Sequence, residues 1–395
     1  MNYQQAKLKR RIEMVGIMPL IVLGRLYGYL FPLKTPTGIF LFSPSADIGG
    51  AIKVNADIAG CISDRKPLII LSKKPKNSGH SELFKNYLIL DLHKKIDNKL
   101  FHFVNIFYRG VLATWINRTE NPVVFGGESL YFYKVIPHVK KSARVVELCH
   151  LPTWFPYSIG FIDLITCRIF STLNLKGTVE KLYLKNHLPE IYFKRLFFIE
   201  NKIDIPIGQE ITNDRLEVVF IGRGALQKRV HLTAAIARRL FEKKIPVHFS
   251  FVGDVDTIIH PSDFPFCSFY GNIGDESRMR EIYQQSDVLI LTSASEGLPV
   301  VVMQMMAYGK VVLSTAVNAI PDYIVHMDNG LLIHAVREND IVEEGAALLE
   351  RLVDDPLLKN RLGQRSRELA IEKFSGEVFC RLYRERMNLP AKDCT

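Results

Sequence analysis

The sequence has few cysteines, and none lies at a spacing typical of a metal site. Its six cysteines are scattered over 395 residues with no C-x-x-C pair and no histidine at zinc-finger spacing: Cys61, Cys149, Cys167, Cys267, Cys380 and Cys394. This pattern indicates neither a structural zinc nor a disulfide framework. We therefore expect free thiols, which are typical of the reducing cytoplasm.

The amino-terminal region lacks an uncharged run long enough to cross a bilayer. The run 14–24 is 11 residues long and contains Pro19, whereas a spanning helix needs about 18–20 apolar residues. A signal peptide is disfavoured, because Arg25 and then aromatic residues follow where a small-residue cleavage site belongs. We predict that this segment neither spans a membrane nor directs export.

Positive charge is in excess, with a formal net charge of +10. Residues 1–34 contain six basic side chains and one acidic one. The excess favours an acidic partner, but charge alone does not choose between nucleic acid, a phosphorylated metabolite and an anionic membrane. Two interpretations of residues 1–34 stay open: an amphipathic anchor at the membrane surface, or the first helix of the fold packed on its neighbour.

The pattern of apolar segments indicates an α/β protein with two domains. The hydrophobic fraction of 48% excludes a disordered chain. Short apolar runs alternate with amphipathic segments, which is typical of parallel sheets, and the alternation occurs twice: from about residue 38 and again from about residue 216. We expect two doubly wound domains that meet at a cleft.

The expected boundaries follow from composition. We predict an amino-terminal segment 1–34, a first Rossmann-like domain 35–200, a polar linker 201–214 containing Pro206 and Gly208, and a second domain 215–375.

One strand-to-helix segment, 287–308, has the features of an anion site. Ser293, Ser295 and Gly297 follow a buried run, and Pro299 stands where the first turn of a helix begins. The amides at this helix start, on Leu298, Val300 and Val301, together with the helix dipole, favour a phosphate.

Glu296 would repel that phosphate unless it binds something else. Sugar hydroxyls are the ligand we expect for it, since a carboxylate accepts several hydrogen bonds. The alternative is that Glu296 caps the helix or faces solvent.

A second segment, 219–229, ends a buried strand in Gly222-Arg223-Gly224, with Lys228 five residues after Arg223. Two long cations at a strand end could clamp a diphosphate. The same pattern is also typical of a solvated loop.

Together these segments resemble the donor-binding half of glycosyltransferase family 4. The resemblance is strongest over 216–334 and rests on motifs in the family's order and spacing: Arg223 with Lys228, Asp287–Ser293, Glu296-Gly-Leu-Pro299 with Gln304 and Ala307-x-Gly309, Ile320-Pro-Asp322, and Asn329-Gly-Leu-Leu332. Weaker similarities are Gly49-Gly50-Ala-x-Lys53, Glu147-x-x-His150, and a carboxyl-terminal segment 376–390 that resembles the helix crossing back to the first domain.

The resemblance implies a GT-B fold and retaining transfer from a nucleotide-diphosphate sugar to a glycan or lipid-linked acceptor. Arg223 and Lys228 would hold the diphosphate, and Glu296 would touch the transferred sugar. The amides of Gly297 to Val300 would meet sugar and phosphate, Gly49 and Gly50 would lie under the donor phosphates, and His150 would be the strand-end histidine on the acceptor side. No metal or other cofactor is expected, because cations and the helix dipole stabilise the leaving group.

The chain departs from the family pattern at one position that bears on donor affinity. The family pattern has a second glutamate eight residues after the first, where this chain has Gln304. An amide accepts one bond from a ribose hydroxyl, at a loss of about 1–2 kcal/mol. A catalytically weakened domain acting as a scaffold in an envelope assembly complex is therefore an alternative.

Other interpretations are weaker. A nicotinamide dehydrogenase is disfavoured, because Gly222-x-Gly224-x-x-Gln227 lacks the third glycine of the dinucleotide-binding motif. Asp254-x-Asp256 could bind a metal, but it follows a strand and more simply forms a polar loop. His150 could equally be a buried structural histidine. We expect a cytoplasmic enzyme of envelope polysaccharide or lipopolysaccharide synthesis that does not bind nucleic acid and lies at the inner face of the membrane.

Overall fold

The computed structural model describes residues 2–35, 37–45, 50–74, 84–97, 102–127, 129–150, 155–206, 213–296 and 299–391. The chain divides into two compact units. The first unit contains residues 1–201 and 379–395, and the second contains residues 202–378.

The first unit contains a parallel sheet of seven strands within the described residues. Its strand order is β3-β2-β1-β4-β5-β6-β7, and the strands are β1 (Ile39–Ser43), β2 (Leu68–Leu71), β3 (Leu88–Asp91), β4 (Val123–Gly127), β5 (Arg144–Cys149), β6 (Cys167–Phe170) and β7 (Leu196–Phe198). Most of these strands are buried on both faces, which explains why they read as continuous apolar runs.

Helices cover both faces of this sheet. They are α1 (Tyr3–Leu30), α2 (Gly50–Cys61), α3 (His93–Ile96), α4 (His102–Arg118), α5 (Leu130–Val135), α6 (Phe155–Ser158), α7 (Leu173–Lys185) and α8 (Glu190–Phe193).

The second unit repeats this architecture with six parallel strands in the order β10-β9-β8-β11-β12-β13. Its strands are β8 (Leu216–Ile221), β9 (Val247–Val252), β10 (Ser268–Phe269), β11 (Val288–Leu291), β12 (Val311–Thr315) and β13 (Leu331–Ile333). Its helices are α9 (Val230–Glu242), α10 (Glu276–Gln285), α11 (Val300–Ala307), α12 (Glu338–Asp354) and α13 (Pro356–Phe374). Helix α14 (Gly376–Arg386) starts in this unit and continues into the first.

Both sheets are doubly wound, so the α/β fold class expected from the sequence is confirmed. In each sheet the first strand of the series lies between the second and the fourth: β1 between β2 and β4, and β8 between β9 and β11. The crossover connections therefore reverse direction beside β1 and beside β8. The carboxyl ends of the strands at such a switch point are where open α/β sheets bind ligands.

The amino-terminal segment differs from the short interrupted run that we expected. Pro19 lies inside one continuous helix of 28 residues, α1, and by length and composition this helix could span a membrane. One face of α1 packs closely on α4, because a Cβ atom at Gly24 would lie 2.0 Å from the carbonyl oxygen of Phe107. The uncharged run 14–24 is only the middle of this helix, since Arg10 and Glu13 lie within it as well.

The expectation of free thiols throughout was also wrong. Cys61 at the end of α2 and Cys380 on α14 form a disulfide between positions 319 residues apart. Arg384 ties the same two elements together, donating hydrogen bonds to the Cys61 carbonyl and to both carboxylate oxygens of Asp64. The linear spacing of the cysteines does not reveal this pairing, because it depends on the chain returning to the first unit.

Candidate functional site

The residues singled out in the second unit lie at the switch point of its sheet. The loop 222–229 follows β8, and residues 292–299 connect β11 to α11. Because β8 and β11 are neighbouring parallel strands, their carboxyl ends bring Lys228 and Glu296 together although 68 residues separate them.

Glu296 is buried and holds a cation. Its Oε1 atom accepts a hydrogen bond from Lys228 Nζ at 2.5 Å and another from Ser293 Oγ at 2.6 Å. Only 8% of Glu296 is exposed, so its carboxylate is neither a solvent-facing side chain nor the cap of α11, where Pro299 occupies the N-cap position. Among the described residues nothing donates to the second carboxylate oxygen.

The loop 222–229 after β8, called the β8 loop from here on, also carries Arg223. Its side chain is exposed and makes no hydrogen bond or ion pair with any residue in the described part of the chain. Lys228 is neutralised by Glu296. The loop therefore presents one open cation beside one neutralised pair.

Hydrogen bonds to backbone carbonyls join the two loops. Gln227 Nε2 donates to the Ser295 carbonyl at 2.6 Å, and the Ala294 amide donates to the Gln227 carbonyl at 2.8 Å. Arg229, which has a positive φ of 45° at the start of α9, donates to the carbonyls of Thr292 and Ser293. Sequence reasoning missed Gln227 and Arg229, because side chains that bind carbonyls leave no motif.

Glycines allow a third strand end to approach. Gly253 has a φ of +119°, and a Cβ there would lie 1.9 Å from the Gly222 carbonyl oxygen. Asp254 Oδ1 accepts a hydrogen bond from the Gly224 amide at 3.2 Å, so Asp254 supports the β8 loop. Within the described residues no group of three His, Cys, Asp or Glu side chains could hold a metal ion.

Helix α11 begins at Val300, directly after Pro299. Val300 is exposed and Gln304, one turn further on, is half-buried, so both lie on the same side of the helix. The predicted ligands Gly297 and Leu298 lie outside the described residues.

The candidates in the first unit have different environments. His150 directly follows β5, and burial lowers its pKa to about 4, which makes the imidazole neutral at pH 7. Glu147, within the same strand, is fully buried and bound to Arg168 and to the Tyr133 hydroxyl. Gly50 is the first residue of α2, and Gly49 lies outside the described residues.

Comparison with protein families supports this description of the second unit. Residues 215–355 match the family model described as Glycosyl transferases group 1. That range begins one residue before β8 and contains the loops that carry Arg223, Lys228 and Glu296.

Two curated relatives match part of the chain. N-acetyl-alpha-D-glucosaminyl L-malate synthase of Bacillus anthracis is 30% identical over 111 residues, which are 28% of this chain and 28% of the relative. The capsular polysaccharide biosynthesis glycosyltransferase CapM of Staphylococcus aureus is 23% identical over 193 residues, which are 48% of this chain and 50% of CapM. The matched regions thus span between about a quarter and half of these relatives.

Solved structures define the fold over most of the chain. Anabaena HepE in complex with UDP superposes with a TM-score of 0.65 at 15% identity, covering 89% of this chain and all of HepE. With its two Rossmann-like parallel-sheet units, the chain has the GT-B fold.

Proposed function

We propose that this protein is a retaining glycosyltransferase of the family 4 type, which moves a sugar from a nucleotide-diphosphate sugar to a glycan or lipid-linked acceptor. The observation that carries the proposal is the pair of half-buried Lys228 with buried Glu296, beside the open cation Arg223 at the switch point of the second sheet. It lies within the residues that match the glycosyltransferase group 1 model. The likeness to CapM supports a role in envelope polysaccharide or lipopolysaccharide synthesis.

The diphosphate of the donor would bind between the β8 loop and the start of α11. Arg223 has the hydrogen-bonding capacity for two phosphate oxygens, and the amides that begin α11, including Val300, add the positive end of the helix dipole. Lys228, whose charge Glu296 offsets, would add a hydrogen-bond donor. These groups would stabilise the leaving diphosphate as negative charge develops on it, so the proposed reaction requires no metal.

Glu296 would bind hydroxyl groups of the transferred sugar. Lys228 and Ser293 both donate to Oε1, which leaves Oε2 to accept hydrogen bonds from a ligand. A carboxylate fixed by two donors is preorganised, so it contributes to binding at a low cost in side-chain entropy.

The remaining assignments are proposed on the family resemblance. Gln304 would accept a hydrogen bond from a ribose hydroxyl, and Gly49 and Gly50 would lie under the donor phosphates. His150, neutral because burial lowers its pKa to about 4, would exchange hydrogen bonds with a sugar or acceptor hydroxyl without adding charge.

A thermal-shift panel of nucleoside diphosphates and their sugars tests the donor site. A ligand at 100 times its Kd stabilises the protein by about 2.7 kcal/mol, or a few degrees for a chain of this size. We expect one nucleotide to raise the Tm of the wild type, and Arg223→Ala and Glu296→Ala to reduce that shift. Arg351→Ala, an exposed arginine on α12, is the control and should keep it.

A second candidate function is a non-catalytic scaffold, and Gln304 in place of the family glutamate favours it. A wild-type protein that shows no shift with any nucleotide would contradict the enzyme and support the scaffold. A shift together with sugar transfer, and a product whose anomeric configuration by NMR equals that of the donor, would support the retaining enzyme.

The outer face of α1 supports docking on an anionic membrane. We use this name for seven exposed apolar residues on the side opposite α4: Leu8, Ile12, Val15, Val22, Leu23, Leu26 and Leu30. Exposed basic side chains on the same helix, Lys9, Arg11 and Arg25, would contact anionic headgroups. Because the opposite face packs on α4 around Gly24 and Gly28, and on Gly160 near its amino-terminal end, α1 would lie in the interface rather than span the bilayer.

Vesicle sedimentation tests this docking. We expect the protein to sediment with phosphatidylcholine vesicles that contain phosphatidylglycerol, and the double variant Ile12→Glu with Val15→Glu to remain in the supernatant. Leu357→Glu, at an exposed leucine of α13 in the second unit, is the matched control. Sedimentation of the double variant at the wild-type level would exclude the outer face as the membrane contact.

The proposed location is the inner face of the cytoplasmic membrane, where the proposal places both donor and acceptor. The cysteines do not support this location, because a disulfide such as Cys61–Cys380 is typical of oxidising compartments. Trapping thiols with an alkylating reagent during lysis, followed by mass spectrometry, shows whether this bond exists in the cell.

A further inference from the structure

A cavity of about 510 Å³ lies within the first unit, beside the switch point of its sheet. It is lined by residues of α1, α4 and α5, by Pro137 and His138, which follow α5, and by Tyr157 and Phe161. Helix α5 follows the carboxyl end of β4 by three residues. The cavity therefore lies next to the sheet edge at which an α/β unit binds its ligands.

Two of its cations lack a carboxylate partner in the described part of the chain. Arg109 is only 7% exposed and its guanidinium donates to the side-chain oxygen of Asn105. Lys134 is half-buried and has no hydrogen bond from its ammonium group to a described residue. Burial is the main cause that lowers the pKa of both side chains, which indicates that their charges are poorly solvated.

The acidic groups nearby do not neutralise them. Arg10, which also lines the cavity, forms a two-pronged ion pair with Asp163. Glu13 is exposed at the cavity and forms its ion pair with Lys9, at 3.9 Å; its charge also favours the charged forms of Arg109 and Lys134, but burial outweighs it and lowers the pKa of both. A buried cation without a close counter-ion is costly, so the site favours an anion.

An unsatisfied polar atom points to the same conclusion. His138 lines the cavity, is only 4% exposed, and its Nδ1 atom has no hydrogen-bond partner among the described residues. The Tyr131 hydroxyl, in an adjoining cavity of about 190 Å³ that shares Lys134, is buried and equally unpartnered. Buried polar atoms normally have partners, and phosphate oxygens would provide them.

Helix α1 links this cavity to the proposed membrane surface. Met14 and Ile17 line the cavity, whereas Ile12 and Val15 belong to the exposed outer face of the same two turns. A molecule with a polar head in the cavity could extend its apolar chain along α1 into the lipid.

We propose that the cavity of Arg109, Lys134 and His138 binds the phosphate group of a membrane-resident amphiphile. This inference rests on the proposed function, for which it specifies a phosphate-bearing lipid as the acceptor class. It assigns the phosphate to the first unit, separate from the donor phosphates in the second.

Calorimetric titration with decyl phosphate tests the inference, with decanol and inorganic phosphate as matched probes. We expect binding of decyl phosphate alone, weakened at least tenfold in Lys134→Met and restored in part by Lys134→Arg. Lys185→Met removes an equal charge from an exposed position on α7 and should bind like the wild type.

Several outcomes would overturn the inference. Equal binding of decanol would show that no phosphate site exists, and equal binding of inorganic phosphate would show that the site ignores the lipid chain. Unchanged affinity in Lys134→Met would place any binding elsewhere. Failure of the donor assignment is distinguishable, because it appears as a missing nucleotide shift while decyl phosphate still binds.

Discussion

The two sheets share one strand order but arrange charge differently at their carboxyl ends. In the second unit Lys228 is neutralised by Glu296, and Arg223 alone is open. In the first unit, the cavity cations Arg109 and Lys134 have no carboxylate partner within the described residues. Topology thus determines where a ligand is expected in each unit, whereas local pairing of side chains determines which chemistry that ligand must have.

The ion pairs of the two units differ in burial as well. Glu147 and Arg168 are 0% and 2% exposed, and the Arg168 guanidinium also donates to Tyr183 and Ser158. The Lys228–Glu296 pair retains partial exposure. We therefore expect loss of the first pair to affect folding, and loss of the second to affect activity.

The largest effect is expected for Arg168→Met. This change leaves the Glu147 carboxylate buried without its cation, which costs about 3–5 kcal/mol in the free energy of unfolding. Urea denaturation followed by circular dichroism measures the loss. The double variant with Glu147→Gln should recover part of it, and a single variant as stable as the wild type would contradict a structural role for the pair.

For Glu296→Gln we expect a fall in kcat of about 100- to 1,000-fold, the size typical of losing one preorganised polar group in an active site. The amide keeps the shape but loses the charge that holds Lys228. The rate of sugar transfer measures this effect, and the Tm should change little. A variant with normal kcat would remove Glu296 from the reaction.

The disulfide offers a comparison of stability between the units. Replacing both Cys61 and Cys380 by serine should lower the free energy of unfolding of the first unit by about 2–4 kcal/mol, since the bond closes a long loop. Cys267→Ser, at a half-buried thiol of the second unit, is the control. The nucleotide-induced shift should survive in both proteins, and an unchanged urea midpoint for the double variant would show that the bond contributes nothing.

Acid should destabilise the first unit through its buried histidines. Burial, with Arg109 as a further cause, lowers the pKa of His138 from 6.5 to about 4. Between these pH values the unfolded chain binds a proton that the folded chain does not, so stability falls as the pH decreases from 6.5 to 4 and is constant above that window. At about 1.4 kcal/mol per pKa unit the loss reaches about 3 kcal/mol.

His138→Leu removes this group, so its free energy of unfolding should depend less on pH over the same window. Urea titrations at a series of pH values measure the slope. The lowered pKa of His150 provides a similar contribution that remains in the variant. Identical slopes in the two proteins would mean that the pKa of His138 does not change on folding.

Much of the sheet architecture could be predicted from the sequence. The mainly apolar runs 216–221, 247–252 and 331–333 coincide with β8, β9 and β13, because most side chains of strands in a sheet covered by helices are buried at least in part. Strand β6 was missed because Arg168 interrupts its four residues, and that charge is compensated only by a partner on another strand. The length of helix α1 was hidden for a similar reason, since Arg10 lies within the helix and pairs with Asp163, which is 153 residues away.

Motifs in the sequence name the candidate site residues but do not reveal their contacts. Arg223, Lys228 and Glu296 could be named from motifs, and the structure brings Lys228 and Glu296 into direct contact. That contact reassigns Lys228 from an independent clamp to one half of a pair. The cavity in the first unit has no motif at all, since its cations come from two helices and its unsatisfied imidazole from the residues that follow α5.

The smallest effect is expected for Gln304→Glu, a change at the proposed donor site. Restoring a charged acceptor one turn into α11 should strengthen hydrogen bonding to a ribose hydroxyl by about 1–2 kcal/mol, or roughly 5- to 30-fold in Kd for the nucleotide that gives the thermal shift. Calorimetry measures this affinity, and Gln285→Glu adds the same charge at an exposed position of α10. Tighter binding in Gln304→Glu alone would show that the glutamine weakens a working donor site, whereas unchanged binding would mean that Gln304 does not face the nucleotide.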